Sequence, residues 1–182
     1  MFSEDDHRRA NSTMEGLGKL KPAFGKNGTV TAGNASGIVD GGAAVVMLPL
    51  EETQKRGLKP LGRLVSWGIA GVEPKLMGRG PVPASRLALQ KAGLKLEDID
   101  LVEVNEAFAA QYLGVEKELG LDRSKVNVNG GAIALGHPLG ATGTRLVITL
   151  LYELRRRKKK YGLATACIGG GQGIAVIVES LR

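Results

Sequence analysis

The chain is poor in aromatic, thiol and imidazole side chains. Of its 182 residues, 4% are Phe, Trp or Tyr; one is cysteine and two are histidine. A single cysteine excludes an internal disulfide framework. With only two histidines beside it, a structural zinc site lacks ligands. No apolar run reaches the length of a membrane-spanning helix. The first residues, Met1-Phe2-Ser3-Glu4-Asp5-Asp6, are acidic and lack the apolar stretch of a secretory signal. Glycine is plentiful at 27 residues but has no period of three, which excludes a collagen-like chain. These absences lead us to expect a soluble, intracellular protein with an aliphatic core.

Hydrophobic residues make up 43% of the chain, enough for one ordinary domain, or one and a small part. The formal net charge is +7, and part of it is the run Arg155 to Lys160. Such a run can serve as a nucleic-acid patch. Here it closes a helical pattern, where cations complement the negative dipole end. Only Tyr152 and Tyr161 offer aromatic surface nearby. A polyanionic small ligand also suits the charge excess.

Residues 1–28 read as irregular. Ala43 to Leu48 is apolar between glycines and Pro49, and reads as a buried strand. Helices are expected over Glu51–Arg56, Pro83–Ala92, Glu106–Leu119 and Thr142–Arg157, the first three stopped by Gly57, Gly93 and Gly120. Strands are expected over Leu61–Trp67, Leu101–Val104, Val126–Val128, Leu163–Cys167 and Ile174–Val178. This alternation implies an α/β fold with a mostly parallel, mixed sheet and helices on its faces. The short turn between the last two strands makes them an antiparallel hairpin.

Polar residues fall where such a sheet places its ligands. Asn105 follows the strand Leu101–Val104, His137 lies in the Gly136-His137-Pro138 loop, and Cys167 ends its strand before Gly169-Gly170-Gly171. In parallel α/β sheets the ligand crevice lies beyond the carboxyl ends of the strands. His137 can polarise or deprotonate a neighbour near neutral pH. Cys167 can act as base or nucleophile if its pKa is lowered. Asn105 can orient a water or donate to an oxyanion. Each also has a plain structural reading: a turn residue, a buried apolar thiol and a helix cap. The glycine runs match neither a dinucleotide fingerprint nor a P-loop, which would need a Lys and a Ser/Thr.

Four blocks together resemble the thiolase family: Gly33-Asn34-Ala35-Ser36-Gly37, Asn105-Glu106-Ala107-Phe108, Gly130 through Pro138, and Cys167-Ile168-Gly169-Gly170-Gly171. The closest likeness is to the mitochondrial type of 3-ketoacyl-CoA thiolase, an acetyl-CoA acyltransferase, with acetoacetyl-CoA thiolases also similar. The resemblance implies a layered thiolase fold and an acyltransferase that cleaves 3-ketoacyl-CoA with CoA or condenses acyl-CoA by a Claisen reaction. It implies fatty-acid β-oxidation, coenzyme A as substrate rather than tightly bound cofactor, no metal, and a homo-oligomer, dimer or tetramer. It favours a mitochondrial setting over a cytoplasmic or peroxisomal one.

By the same resemblance Cys167 is the acid/base cysteine and His137 activates the nucleophile. Asn105 holds a water in the oxyanion site, and the Gly169 N–H serves a second oxyanion hole. Arg9, Ser12 and Ser36 contact CoA, while Phe24, Met77, Ala107 and Phe108 line the pantetheine and acyl channel. Residues 1–35 then end a CoA-binding loop region, 36–57 supply a strand and helix that complete an N-terminal domain, and 58–182 form a C-terminal domain. The family's acyl-accepting cysteine has no match, so this chain is expected to be a C-terminal portion that is inactive alone. The alternatives are an inactive CoA-binding or dimerisation module and a nucleic-acid binder working through Arg155–Lys160.

Overall fold

The computed structural model describes residues 3–5 and 7–181. Four strands, β1 (Gly62–Gly71), β2 (Leu101–Val104), β3 (Tyr161–Ile168) and β4 (Gln172–Ser180), form one sheet in the order β1-β4-β3-β2. The helices are α1 (Met14–Gly18), α2 (Leu50–Lys55), α3 (Pro81–Ala92), α4 (Ala109–Leu119), α5 (Ala132–Leu135) and α6 (Leu139–Arg156). The fold is α/β with a mixed sheet, as expected, and β3 and β4 form the expected hairpin. The balance of the sheet differs from expectation. Only β2 and β3 pair in parallel, whereas β4 runs antiparallel to both β3 and β1. The tight turn after β3 reverses β4, and β1 then adds to β4 as an edge.

Strand alternation sends side chains to opposite faces. One face buries Val102, Val104, Leu163, Ala175 and Ile177 against Val82, Ala84, Ala88 and Leu89 of α3 and Val115 of α4. The other buries Leu101, Ala164 and Val178 under Leu146, Leu150 and Leu154 of α6. Full burial of each such aliphatic side chain contributes about 1.5–3 kcal/mol. Gly93 and Gly120 end α3 and α4 in left-handed conformation, at φ 66° and 70°. A side chain is strained there, so glycine stops both helices where expected.

Three local expectations fail. Residues 1–28 contain the short α1, capped by Thr13 Oγ1, which accepts from Gly16 N at 3.1 Å. Val126–Val128 is no strand: only Val126 bridges to Val102, and Asn127 turns left-handed at φ 46°. Asn127 instead offers its amide as a surrogate partner, accepting from Val104 N at 2.8 Å and donating to Val104 O at 2.9 Å. Ala43–Leu48 is exposed coil rather than a buried strand, with Val46 90% exposed. Among the described residues no strand pairs with it, so its backbone lacks the ladder partners that burial demands. It borders an apolar groove of about 660 Å³ lined by Val45, Met47, Leu64, Val147, Leu151 and Val176. Among the described residues no helix is long and apolar enough to cross a membrane.

The basic run is tied down within the chain. Glu153 accepts from Arg156 and Arg157, which hold its carboxyl down to about 2. Lys159 lies 3.7 Å from Asp100, and Lys160 lies 3.5 Å from Glu179.

One contact governs how α3 meets the sheet. Gly80, before α3, lies against Gly173 of β4; a Cβ on Gly173 would fall 2.0 Å from the Gly80 carbonyl carbon. The Gly80 carbonyl belongs to backbone and cannot swing away. Gly173→Ala should therefore destabilise the chain by about 1–3 kcal/mol or more, read as a lower urea midpoint at unchanged slope. A midpoint equal to the parent's would refute this account of the packing.

Candidate active site

All four residues of β2 are buried, and Asn105 follows the strand directly, its N–H donating to Thr165 O of β3 at 2.9 Å. The Asn105 side chain is 1% exposed. Its Nδ2 lies 3.2 Å from His137 Nε2, and its Oδ1 is buried with no partner among the described residues. A buried polar atom left unsatisfied is costly and calls for a ligand or water.

His137 is held from three directions. Gly136, at φ 94°, turns the chain after α5, and any Cβ there would strike Val39. His137 N donates to Gly37 O at 2.8 Å. On the ring, Nδ1 lies 2.7 Å from Thr142 Oγ1, which is 3.0 Å from Pro138 O. The Thr142 hydroxyl has one proton, and the carbonyl can only accept it. Oγ1 must therefore accept from Nδ1–H, which leaves the Nε2 lone pair facing Asn105 Nδ2–H. Burial, and then the positive charge of Arg145, hold the imidazole's pKa below its ordinary value. The ring is thus set as a neutral imidazole whose Nε2 lone pair faces Asn105.

Residues 34–37 bind this loop to the one after β2. Ser36 N and Oγ both donate to Ala107 O, at 3.0 and 3.1 Å, and Ala109 N donates to Asn34 O at 2.8 Å. Phe24 meets Phe108 edge to face, with centroids 6.0 Å apart. Met77 is half-buried in a 3-10 turn (Pro74–Arg79), whose Gly78 lies against Gln111; Gln111 Oε1 accepts from Ala107 N at 3.2 Å. Phe24 thus meets Phe108 and Ser36 meets Ala107, while Met77 precedes the glycine that packs on Gln111. Arg9 and Ser12 are exposed on the N-terminal segment, with Ser12 Oγ donating to Arg9 O at 2.9 Å.

Cys167 pairs with Gly173 across the hairpin and is half-buried, two residues beyond the Thr165 carbonyl that receives Asn105 N–H. Gly169 is exposed and opens the turn; Gly170 and Gly171 follow at φ 86° and 90°. The condition set for a nucleophilic Cys167 is not met. The thiol's pKa is raised, not lowered, because burial penalises the thiolate. That favours a group which keeps or donates its proton at neutral pH over a standing nucleophile.

Several residues of the site escaped sequence reasoning. Thr142 looked like the helix start and is the partner of His137. Glu106 accepts from Asn127 Nδ2 at 3.1 Å and Ile133 N at 3.2 Å, and its carboxylate fills the space a Cβ on Gly131 would take. The Glu-to-Gly complementarity offered a signal only after the loops were known to meet. Glu103 is 2% exposed on β2, 3.6 Å from Arg145 of α6. Its place in an apolar strand, Leu101-Val102-Glu103-Val104, was the available clue.

The structure thus brings Asn105 and His137 together, and Cys167 stands near the end of β3, the strand that pairs with β2. Comparison with known proteins fixes the family. The model described as "Thiolase, C-terminal domain" matches residues 58–180, and "Thiolase, N-terminal domain" matches residues 1–51. The chain belongs to the thiolase family. It is 61% identical over 182 residues to an acetyl-CoA acetyltransferase of Escherichia coli (strain K12), covering 100% of this chain and 46% of that protein. It is 59% identical over 176 residues to the mitochondrial 3-ketoacyl-CoA thiolase of Homo sapiens, covering 97% and 44%. A crystal structure of the Bacillus anthracis acetyl-CoA acetyltransferase superposes with a TM-score of 0.96 at 56% identity, covering 99% of this chain and 46% of that one. Human mitochondrial 3-ketoacyl-CoA thiolase in complex with CoA gives a TM-score of 0.91 at 53% identity, covering 100% and 46%. The chain spans less than half the length of these relatives. Their near-equal identities do not separate the two thiolase types.

Glu103 gives this site a testable pH signature. Burial raises its carboxyl from the ordinary 4.5 to about 7, against the pull of Arg145. Between those values the unfolded chain loses the proton while the folded chain keeps it. The stabilising contribution is therefore full below about 4.5 and lost as pH rises to about 7. Relative to Glu103→Gln, which cannot titrate, the parent should lose about 3 kcal/mol across that range. Urea unfolding of both proteins at the two pH values measures the difference, and a constant gap would refute it.

Proposed function

We propose that this chain supplies the proton-transfer and oxyanion portion of a thiolase, an acetyl-CoA C-acyltransferase that cleaves 3-ketoacyl-CoA with CoA or condenses acyl-CoA. The observation that carries this reading is the locked tautomer: Thr142 takes Nδ1–H, so His137 Nε2 and Asn105 face one site together. Asn105 Oδ1, buried and unpartnered, suits a water that would donate to it and to a substrate thioester oxygen. Cys167, protonated at neutral pH, suits the role of proton donor to the departing enolate, and of base in the reverse direction. The N–H of Gly169, in the exposed turn after β3, would serve the second oxyanion site. Arg9, Ser12 and Ser36 are proposed to hold CoA, whose phosphates match the chain's positive charge. Phe24, Met77, Ala107 and Phe108 would line the pantetheine and acyl channel. We read residues 1–35 and 36–57 as the end of the CoA loop region and of an N-terminal domain, and 58–182 as the C-terminal domain.

Cys167 is the chain's one cysteine. In this reading the acyl-accepting thiol comes from a separate N-terminal half, and the open groove beside residues 43–48 is where that half would pack. The complete assembly would be a homo-oligomer, in mitochondria or cytoplasm. The internal pairing of Arg156, Arg157, Lys159 and Lys160 disfavours nucleic-acid binding.

Thiolysis of acetoacetyl-CoA tests the proposal. The chain alone should show no turnover, and adding an N-terminal half with its own cysteine should restore it. In that assembly Cys167→Ala should lower kcat by about 10²–10⁴-fold, and Asn105→Ala by about 10²–10³-fold. Turnover by the isolated chain through an acyl-Cys167 adduct would overturn the assignment. Undiminished turnover with Cys167→Ala would favour a module that only binds CoA.

A further inference from the structure

Three members of the block Asn105-Glu106-Ala107-Phe108 have a part in the proposed chemistry, and Glu106 has none. Its bonding is nonetheless closely specified. Glu106 is half-buried in the loop after β2, one residue beyond Asn105. Its Oε1 accepts from Asn127 Nδ2 at 3.1 Å, and its Oε2 accepts from Ile133 N at 3.2 Å, in the first turn of α5. Gly131, at the start of α5, has no side chain to bond that turn, and a Cβ there would strike the Glu106 carboxylate. The carboxylate therefore reaches α5 from the neighbouring loop, through space that glycine leaves open. Asn127 cannot turn its amide round, because its Oδ1 already accepts from Val104 N at 2.8 Å. Its Nδ2 also donates to Val104 O at 2.9 Å. Glu106 thus faces two fixed donors, a side-chain N–H and a backbone N–H, and must offer each an acceptor. A carboxylate does this, whereas the amide of Gln would set its own donor against one of them.

We propose that Glu106 is a positioning residue that clamps the Asn105 loop to the His137 loop, and so sets the 3.2 Å contact between Asn105 Nδ2 and His137 Nε2. On one side Glu106 is joined to Asn105 by the chain itself. On the other its carboxylate bonds α5, which runs from Ala132 to Leu135 and leads through Gly136 into His137. Gly136 N donates to Ala132 O at 2.8 Å, so the short helix carries its first turn directly into the loop. Ala132 itself is fully buried, which leaves α5 little freedom to slide. Asn127 steers the carboxylate and is itself held to the last residue of β2. A pair of groups on separate loops needs such supporting bonds to keep its geometry. The inference rests on Asn105 and His137 acting as a pair, as proposed above, and not on the reaction they serve.

The test reads the contact directly, so it fails or succeeds apart from any thiolase activity. The measurement is the nitrogen NMR resonance of His137 Nε2 in the full chain at neutral pH. With two histidines in the chain, a His7→Gln variant assigns it. Asn105→Ala removes the donor and gives the reference position for an Nε2 without one. Glu106→Ala should move the resonance toward that reference although Asn105 is still present. Glu106→Gln, of the same size but with one acceptor fewer, should move it part of the way. Gly131→Ala, whose methyl displaces the carboxylate, should reproduce Glu106→Ala, and the two together should shift no further than either alone. Leu89→Ala, a core defect on α3, should lower the urea midpoint and leave the resonance in place. A parent-like resonance in folded Glu106→Ala would overturn the proposal, as would an equal shift in Leu89→Ala, which would mark general loosening. If Glu106→Ala does not fold, Glu106→Gln decides: a moved resonance supports the clamp, and an unmoved one overturns it.

Discussion

The site depends on the destination of one proton. Because the Thr142 hydroxyl donates to Pro138 O, it must accept from His137 Nδ1, and that choice fixes every later one. Asn105 must then present Nδ2 to the Nε2 lone pair, and its Oδ1 is left without a hydrogen-bond partner among the described residues. A single hydroxyl at the first turn of α6 thus orients two side chains on different loops. The helix that carries it is also the one that covers a whole face of the sheet through Leu146, Leu150 and Leu154. Packing energy and site geometry are therefore linked: a shift of α6 large enough to relieve a core defect would also move the hydroxyl that sets the tautomer.

The loops are held to each other by backbone rather than by long side chains. Residues 34–37 form a strap whose amides and carbonyls meet Ala107, Ala109 and His137, and Gly136 and Gly131 are bare where Val39 and Glu106 press in. Such contacts leave few rotamers to freeze, so their entropic cost falls mainly on the backbone. They also explain why a chain with so much glycine can hold a precise site. At these positions glycine serves close approach, and the freedom it brings to the unfolded state is offset by the hydrogen bonds its absent side chain permits.

Much of this was legible beforehand, and the failures have physical causes. The glycine stops at Gly93 and Gly120, the β3–β4 hairpin, and the placement of Asn105 just beyond β2 follow from local chemistry acting within a few residues, whereas His137 follows the helix α5 because the strand expected before it does not form. The four family blocks named the family correctly. Asn127 defeated the strand pattern because its own amide replaces a ladder partner, something no hydrophobic period records. Ala43–Leu48 defeated it because an apolar run announces only that it prefers cover, not that this chain provides any. Thr142 and Glu103 were invisible for a related reason: a hydroxyl at a helix start and a carboxyl in a strand acquire meaning only from what lies across from them.

Cys167 shows how far a local reading carries and where it turns. A strand-end thiol before three glycines suggested an activated nucleophile. Burial raises its pKa instead, and the charge that acts on the site, Arg145, bears on His137. A neutral imidazole and a protonated thiol at the same pH are complementary: one side can accept a proton while the other can give one, and neither need be charged beforehand. That division suits carbon–carbon bond chemistry at a thioester, where negative charge appears only on the substrate and must be met by donors already in place. A thiolate standing beside His137 would oppose the same developing charge. The raised pKa that contradicts the first expectation for Cys167 therefore strengthens the acid/base role proposed for it.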